Sequence, residues 1–306
     1  MIEGELVSGD DTEEKIPWNR LNRMVIAGRS PFSGGVVYRA VKEDVPVTFI
    51  DIMGRARGHL FPEYHEMPEM LSLQEKYRKD KEFCLSFAKE IISAKIHNST
   101  VLLQRNGMDV EDMKEIQERL KEAKDVDSLR GYEGAASKAY FAKLAHLVAP
   151  FEFKSRVYHP PDGPINTILS LGYSVLYNRI ATALKDSGFN ARFGFFHQGR
   201  GSHCALASDL MEELRHIIER VVLSLIHLGE LKPDDFTVRK KKEIDICRIG
   251  GEGFRKFVHR FEKTMAVSTS YGSTERMSYN AYIDEMTAGL KRSLRLGIPY
   301  KALRID

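Results

Sequence analysis

The chain has 306 residues with 46 Lys and Arg against 43 Asp and Glu, 42% hydrophobic and 29% charged residues, the balance of an ordinary water-soluble globular protein with room for one large domain or two smaller ones. No apolar run approaches the ~20 residues that cross a bilayer, so no membrane association is expected. The start, Met1-Ile2-Glu3-Gly4-Glu5, lacks the basic and apolar stretches of a secretory signal, which points to a cytoplasmic protein.

In chain order, the first ~60 residues read as strand-rich. Arg23-Met24-Val25-Ile26-Ala27-Gly28 is a short apolar run closed by glycine, Val45 to Ile52 is β-branched and partly alternating, and Gly58-His59-Leu60-Phe61 suggests another short strand. Val36, Val37, Ala40 and Val41 recur at helical spacing, so Ser33 to Asp44 predicts one helix between strands. Pro62 to Pro68 reads as a linker. Beyond it the period becomes helical: Leu73 to Ile96, Val110 to Lys124, Tyr132 to Val148, Thr167 to Ser187 with a stop at Gly188, Ser208 to Leu228, Phe254 to Lys263 and Ser278 to Leu296. The segment 208–228 is the cleanest of these, with Leu210, Leu214, Ile217, Val221, Leu225 and Leu228 as its apolar stripe and Ser208 or Asp209 as a candidate cap. The predicted class is α+β: a small N-terminal β domain with linker (1–66), then a larger all-α catalytic domain (67–306).

Cys84, Cys204 and Cys247 are widely spaced with no Cys-x-x-Cys pair, which argues against a disulfide scaffold or a structural zinc cluster and for thiols in a reducing compartment. The stretch Arg239 to Lys263 holds nine basic and four acidic residues. It is either a solvated face or a polyanion-binding one.

The residues that carry chemistry are Glu133, in Gly131-Tyr132-Glu133-Gly134-Ala135-Ala136; His197, after Gly194-Phe195-Phe196 and before a Gly-rich loop; and Glu212, three residues after Asp209. Two carboxylates and an imidazole form a plausible ligand set for a divalent cation, and mixed oxygen and nitrogen donors suit magnesium or manganese. Each has an ordinary alternative. Asp209 and Glu212 share a helix face and sit where acidic residues suit a first turn in any case. Glu133, set among small residues, could be compensated by Arg130 or Lys138. His197 could be a satisfied core histidine, and His203 beside Cys204 is a competing ligand candidate.

Four strings together resemble the CRISPR-associated integrase family that inserts new spacers during adaptation: Tyr132 to Phe141, Pro164-Ile165-Asn166 continuing to Leu171-Gly172-Tyr173, Gly194 to His197, and Asp209 to Glu212 with Arg215. The resemblance implies catalytic metal ligation by Glu133, His197 and Glu212, with Asp209 supporting or substituting. It implies homodimers, two of which flank a small ferredoxin-like subunit dimer in a heterohexamer that holds double-stranded DNA with 3′ overhangs and CRISPR repeat DNA. The implied chemistry is 3′-hydroxyl transesterification, with endonucleolytic hydrolysis as its water-using version. An iron–sulfur exonuclease, fused or separate, is a further implied partner. The family has more strand-forming sequence ahead of the region matching Glu5 to Pro17, so the chain reads as a short form or as the integrase portion of a longer polypeptide. Two other functions compete: a non-catalytic DNA-binding scaffold using the basic stretch, and a metal hydrolase of small phosphoesters.

Overall fold

The computed structural model describes residues 5–7, 13–21, 23–28, 31–51, 56–60, 68–158, 160–199, 201, 203–241, 244–271 and 275–306. Of the expected linker, Pro62 to Pro68, only Pro68 lies among them, and it opens a helix. Strands β1 (Glu5–Val7) and β2 (Glu13–Lys15) form an antiparallel hairpin. Strand β3 (Met24–Ala27) runs parallel to β4 (Val47–Ile50), which pairs antiparallel with β5 (Ala56–Leu60). Parallel neighbours need a crossover, and α1 (Gly34–Lys42) supplies it, with Ser33 Oγ capping the Val36 N–H. Met24, Ala40, Val45 and Val47 are buried between helix and sheet. The sheet is tied to the helical region by Thr48 Oγ1 to Thr182 Oγ1 at 2.8 Å and by Arg23 to Asp284 at 2.5 Å.

The helical region opens with α2 (Pro68–Lys79) and α3 (Lys81–Arg105). One helix was expected across Leu73 to Ile96. Asp80 divides it, because its backbone is extended and its carboxylate accepts the Glu82 and Phe83 N–H groups, the first-turn donors that no helical carbonyl can satisfy. After α4 (Glu111–Leu120) comes α5 (Val126–Leu144), whose Asp125–Ser128 capping box starts it six residues before the expected Tyr132. Glu133 therefore sits well inside a helix.

Helix α6 (Gly163–Asp186) is buried along most of its length, and Gly188 follows it at φ 81°. The expected helix at 208–228 is α7 (Ala205–Met211), a 3-10 turn (Glu212–Leu214) and α8 (His216–His227). Its apolar stripe is buried from Leu210 to Leu225, whereas Leu228 is 60% exposed. Each fully buried Leu or Ile of this core contributes roughly 1.5–3 kcal/mol. Helices α9 (Gly251–Ala266) and α10 (Tyr279–Leu296) complete the set.

Two antiparallel hairpins add to the expected helices: β6 (Phe236–Lys241) with β7 (Ile244–Ile249), and β8 (Ser268–Tyr271) with β9 (Glu275–Ser278). The basic stretch is thus a hairpin followed by a helix. On that helix Lys256 pairs with Asp235, Arg260 with Glu230 and Arg255 with Glu252. The last residues return to the core, where Asn98 donates to the Glu213 and Leu303 carbonyls and accepts from the Ile305 N–H. No helix among the described residues is long and apolar enough to cross a membrane.

Candidate active site

Glu133 on α5 and Glu212 on the turn after α7 meet at one cation, the Lys95 ammonium of α3. Lys95 Nζ lies 2.6 Å from Glu133 Oε1 and 2.7 Å from Glu212 Oε2. Arg215 closes the other side, 3.2 Å from Glu212 Oε1. Burial alone would raise the Glu212 pKa, but Arg215 and Lys95, and then His197, bring it down to about 2. Burial likewise opposes the charge on Lys95, and the two carboxylates more than offset it, so its pKa is raised. The partners expected for Glu133, Arg130 and Lys138, are not the ones it uses: Arg130 pairs with Asp127.

His197 is placed by Asp209, which is fully buried. Asp209 Oδ2 accepts the Phe195 and Phe196 N–H groups at 2.7 and 3.2 Å. Oδ1 accepts the His197 N–H at 2.7 Å and lies 2.8 Å from His197 Nδ1. Gly194 is what lets this carboxylate in: a Cβ there would stand 2.6 Å from the His197 carbonyl and 2.9 Å from Asp209 Oδ2. Burial lowers the basicity of His197, but the hydrogen bond and charge of Asp209, joined by the charges of Glu212 and Glu133, raise its pKa overall. The imidazole thus lies within the field of both glutamates, and with Nδ1 taken, Nε2 is the ring nitrogen left for another partner.

Asp209 and Glu212 do not share a cleft rim, as their spacing suggested. Asp209 is spent on four contacts to the 195–197 loop, while Glu212 faces Lys95. His203 stands apart: it stacks on Tyr177, and its Nε2 lies 3.1 Å from Ser208 Oγ. The three cysteines are thiols, not disulfides. Among the described residues no three His, Cys, Asp or Glu side chains stand already arranged around an ion position, since the two glutamates close on the Lys95 ammonium instead.

Two observations fit a divalent cation here. The donors offered by Glu133, Glu212 and His197 Nε2 are hard oxygens and one imidazole nitrogen, the set that suits magnesium or manganese. Glu212 is almost fully buried and both its oxygens face cations, Oε1 Arg215 and Oε2 Lys95, so positive charge already sits where an ion would.

A groove of about 830 Å³ opens beside His197, lined by Arg78, Lys81, Lys124, Arg130 and Arg192 and floored by Phe195 and Phe196. The Arg78 guanidinium lies 4.8 Å from the Phe193 ring centroid and that of Arg130 5.7 Å from Phe196, contacts that hold cations over aromatic faces. The two acids of the lining are engaged: Asp125 caps the Ser128 N–H and Asp127 pairs with Arg130. The groove suits a phosphate backbone. Sequence reading missed it because its cations come from three separate stretches of the chain, 78–81, 124–130 and 192. It also missed Lys95, for which a signal existed: a lone lysine inside the apolar run Ile91-Ile92-Ser93-Ala94-Lys95-Ile96 needs a buried counter-charge.

Residues 4–263 match the family of the CRISPR associated protein Cas1. The chain belongs to this family. A CRISPR-associated endonuclease Cas1 from Mycobacterium tuberculosis is 31% identical over 304 residues, covering 96% of this chain and 89% of the relative. A Cas6-RT-Cas1–Cas2 complex contains a chain 25% identical to this one, with a TM-score of 0.78 over 96% of this chain and 33% of that one. A casposase bound to an integration product superposes with a TM-score of 0.81 at 24% identity, over 97% of this chain and 86% of the other, and shows the shared fold.

Proposed function

We propose that this protein is a divalent-metal-dependent DNA endonuclease and integrase that inserts DNA fragments into a CRISPR array by 3′-hydroxyl transesterification. The observation that carries it is the convergence of Glu133 and Glu212 on one cation, within the field of an imidazole that Asp209 orients, beside a groove lined by five basic residues. Family membership and the endonuclease named in the relative support the same reading.

Glu133, Glu212 and His197 Nε2 would hold magnesium or manganese, which when bound lowers the cost of deprotonating an attacking hydroxyl and offsets charge on the phosphate. The chain's own residues do the rest. Asp209 fixes the His197 ring through Nδ1, the outer support that metal-bound imidazoles ordinarily have. Arg215 keeps Glu212 ionised at neutral pH. The groove cations bind phosphates and hold the strand in register for in-line attack. Water in place of the hydroxyl turns the same site into an endonuclease. The Cas1–Cas2 assembly of the related complex supports a partnership with a small subunit of that kind.

The deciding experiment reconstitutes the chain with the small subunit, a repeat-bearing plasmid and labelled DNA with 3′ overhangs. Glu133→Ala and His197→Ala should each abolish insertion while DNA binding and folding persist. Undiminished wild-type insertion in EDTA would defeat the proposal.

A further inference from the structure

The ion proposed above and the Lys95 ammonium need the same place. Lys95 Nζ touches both Glu133 and Glu212, and a second cation beside it would meet repulsion that a buried site screens poorly. The structure offers the ammonium another position. A cavity of about 20 Å³ is lined by Lys95, Tyr140, Tyr158, Arg215 and Glu219, room for one group the size of a water molecule. Two of its lining residues bear buried polar atoms that lack a hydrogen-bond partner, Glu219 Oε2 and Tyr140 Oη. Glu219 is 3% exposed and Tyr140 4%. Glu219 already uses its other oxygen to accept from the Tyr173 hydroxyl, and Tyr173 is held beneath the Arg215 guanidinium, 4.1 Å from its ring centroid. A buried carboxylate oxygen and a phenol left unpartnered are costly unless something comes to them. An ammonium donates three hydrogen bonds, and a lysine head moves on a flexible four-carbon stem without its backbone.

We propose that Lys95 is a displaceable counter-cation: in the metal-free protein it holds Glu133 and Glu212 together, and when a divalent ion enters, its ammonium moves into the cavity onto Glu219 Oε2 and Tyr140 Oη. The inference rests on the metal reading of Glu133, His197 and Glu212. It makes Lys95 and Glu219 positioning residues that tune metal affinity from outside the ligand set. It also explains how a buried and a partly exposed carboxylate stay assembled before the ion arrives.

The test is Mn²⁺ binding to the full chain, followed by the paramagnetic resonance of free Mn²⁺ and by thermal unfolding with and without the ion. Lys95→Met should bind Mn²⁺ about tenfold tighter or better, because the ion no longer displaces a cation. Its metal-free form should melt below the wild type, and Mn²⁺ should raise its melting temperature more than it raises the wild type's. Glu219→Gln should do the reverse: metal-free melting close to wild type, and several-fold weaker Mn²⁺ binding, because the displaced ammonium loses its acceptor. A folded Lys95→Met that binds no tighter than wild type, or a Glu219→Gln with wild-type affinity, overturns the proposal. If Lys95→Met does not fold even with Mn²⁺, Glu219→Gln decides alone. Failure of the underlying metal reading looks different: wild type binds no Mn²⁺, or Glu133→Gln binds it as tightly as wild type.

Discussion

Glu212 and Glu213 are neighbours on one turn, both almost fully buried, and they face opposite regions of the molecule. Glu212 looks toward α3 and α5, where Lys95 and Arg215 stand against it. Glu213 looks toward the C-terminal segment, where the hydroxyls of Tyr282 and Tyr300 and the Leu303 N–H donate to it. Burial pushes both pKa values up. On the Glu212 side two cations overcome it and the value falls to about 2. On the Glu213 side neutral donors only reduce it, and the value stays up at about 7. Cations make one carboxylate a permanent anion, fit for a metal, while hydroxyls and an amide make the other an anchor that ties the chain end to the back of the site.

The largest effect expected from this contrast is on the Glu212 side. Glu212→Gln keeps the shape but halves the donor charge, and insertion and cleavage rates should fall by more than the about 100-fold typical of changes outside a ligand shell. A rate within tenfold of wild type in a strand-transfer assay would remove Glu212 from the site. Next comes Asp209→Asn, which keeps one acceptor for the 195–197 loop but loses the charge that fixes His197. It should cost about 10–100-fold in activity, with weaker Mn²⁺ binding and a lower melting temperature, because the new amide NH2 faces buried N–H donors that the carboxylate oxygen had satisfied. A large fall in melting without loss of metal affinity would make Asp209 a purely structural residue.

The smallest effect sharpens the Glu213 side and concerns pH. A carboxyl whose folded pKa is raised to about 7 stabilises the fold fully below its unfolded value near 4.5 and loses that contribution as pH rises through 7. Glu213→Gln cannot titrate, so the stability gap between wild type and variant should narrow by about 2 kcal/mol between pH 5 and pH 8. Glu212 has the opposite sign: its contribution is present above about 4.5 and disappears as pH falls toward 2. Urea unfolding of the Glu213→Gln protein at both pH values checks this, and a gap that stays constant or widens contradicts it.

Much of the helical framework was legible because burial stamps a period on the sequence. The stripe from Leu210 to Leu225 predicted α7 and α8, and the small residues after Glu133 predicted a packed helix. The division at Asp80 was less legible, since the apolar period runs across it and only the cap breaks the helix. The two hairpins were missed because β6 ends in a basic run that looks like solvated surface, and strand pairing is a relation between segments rather than a property of either.

By itself the sequence determined the family, the order of strand-rich and helical regions, and the three side chains on which the proposed chemistry rests. Only the tertiary structure decided what each of those groups faces. Lys95 lies 38 residues before Glu133 and bonds to it, and Asp209 closes on His197 rather than joining Glu212. No local pattern records such choices, because the partner of a buried charge is whichever opposite charge the packed helices bring within reach, and the cost of leaving it unpaired appears only once water has been excluded.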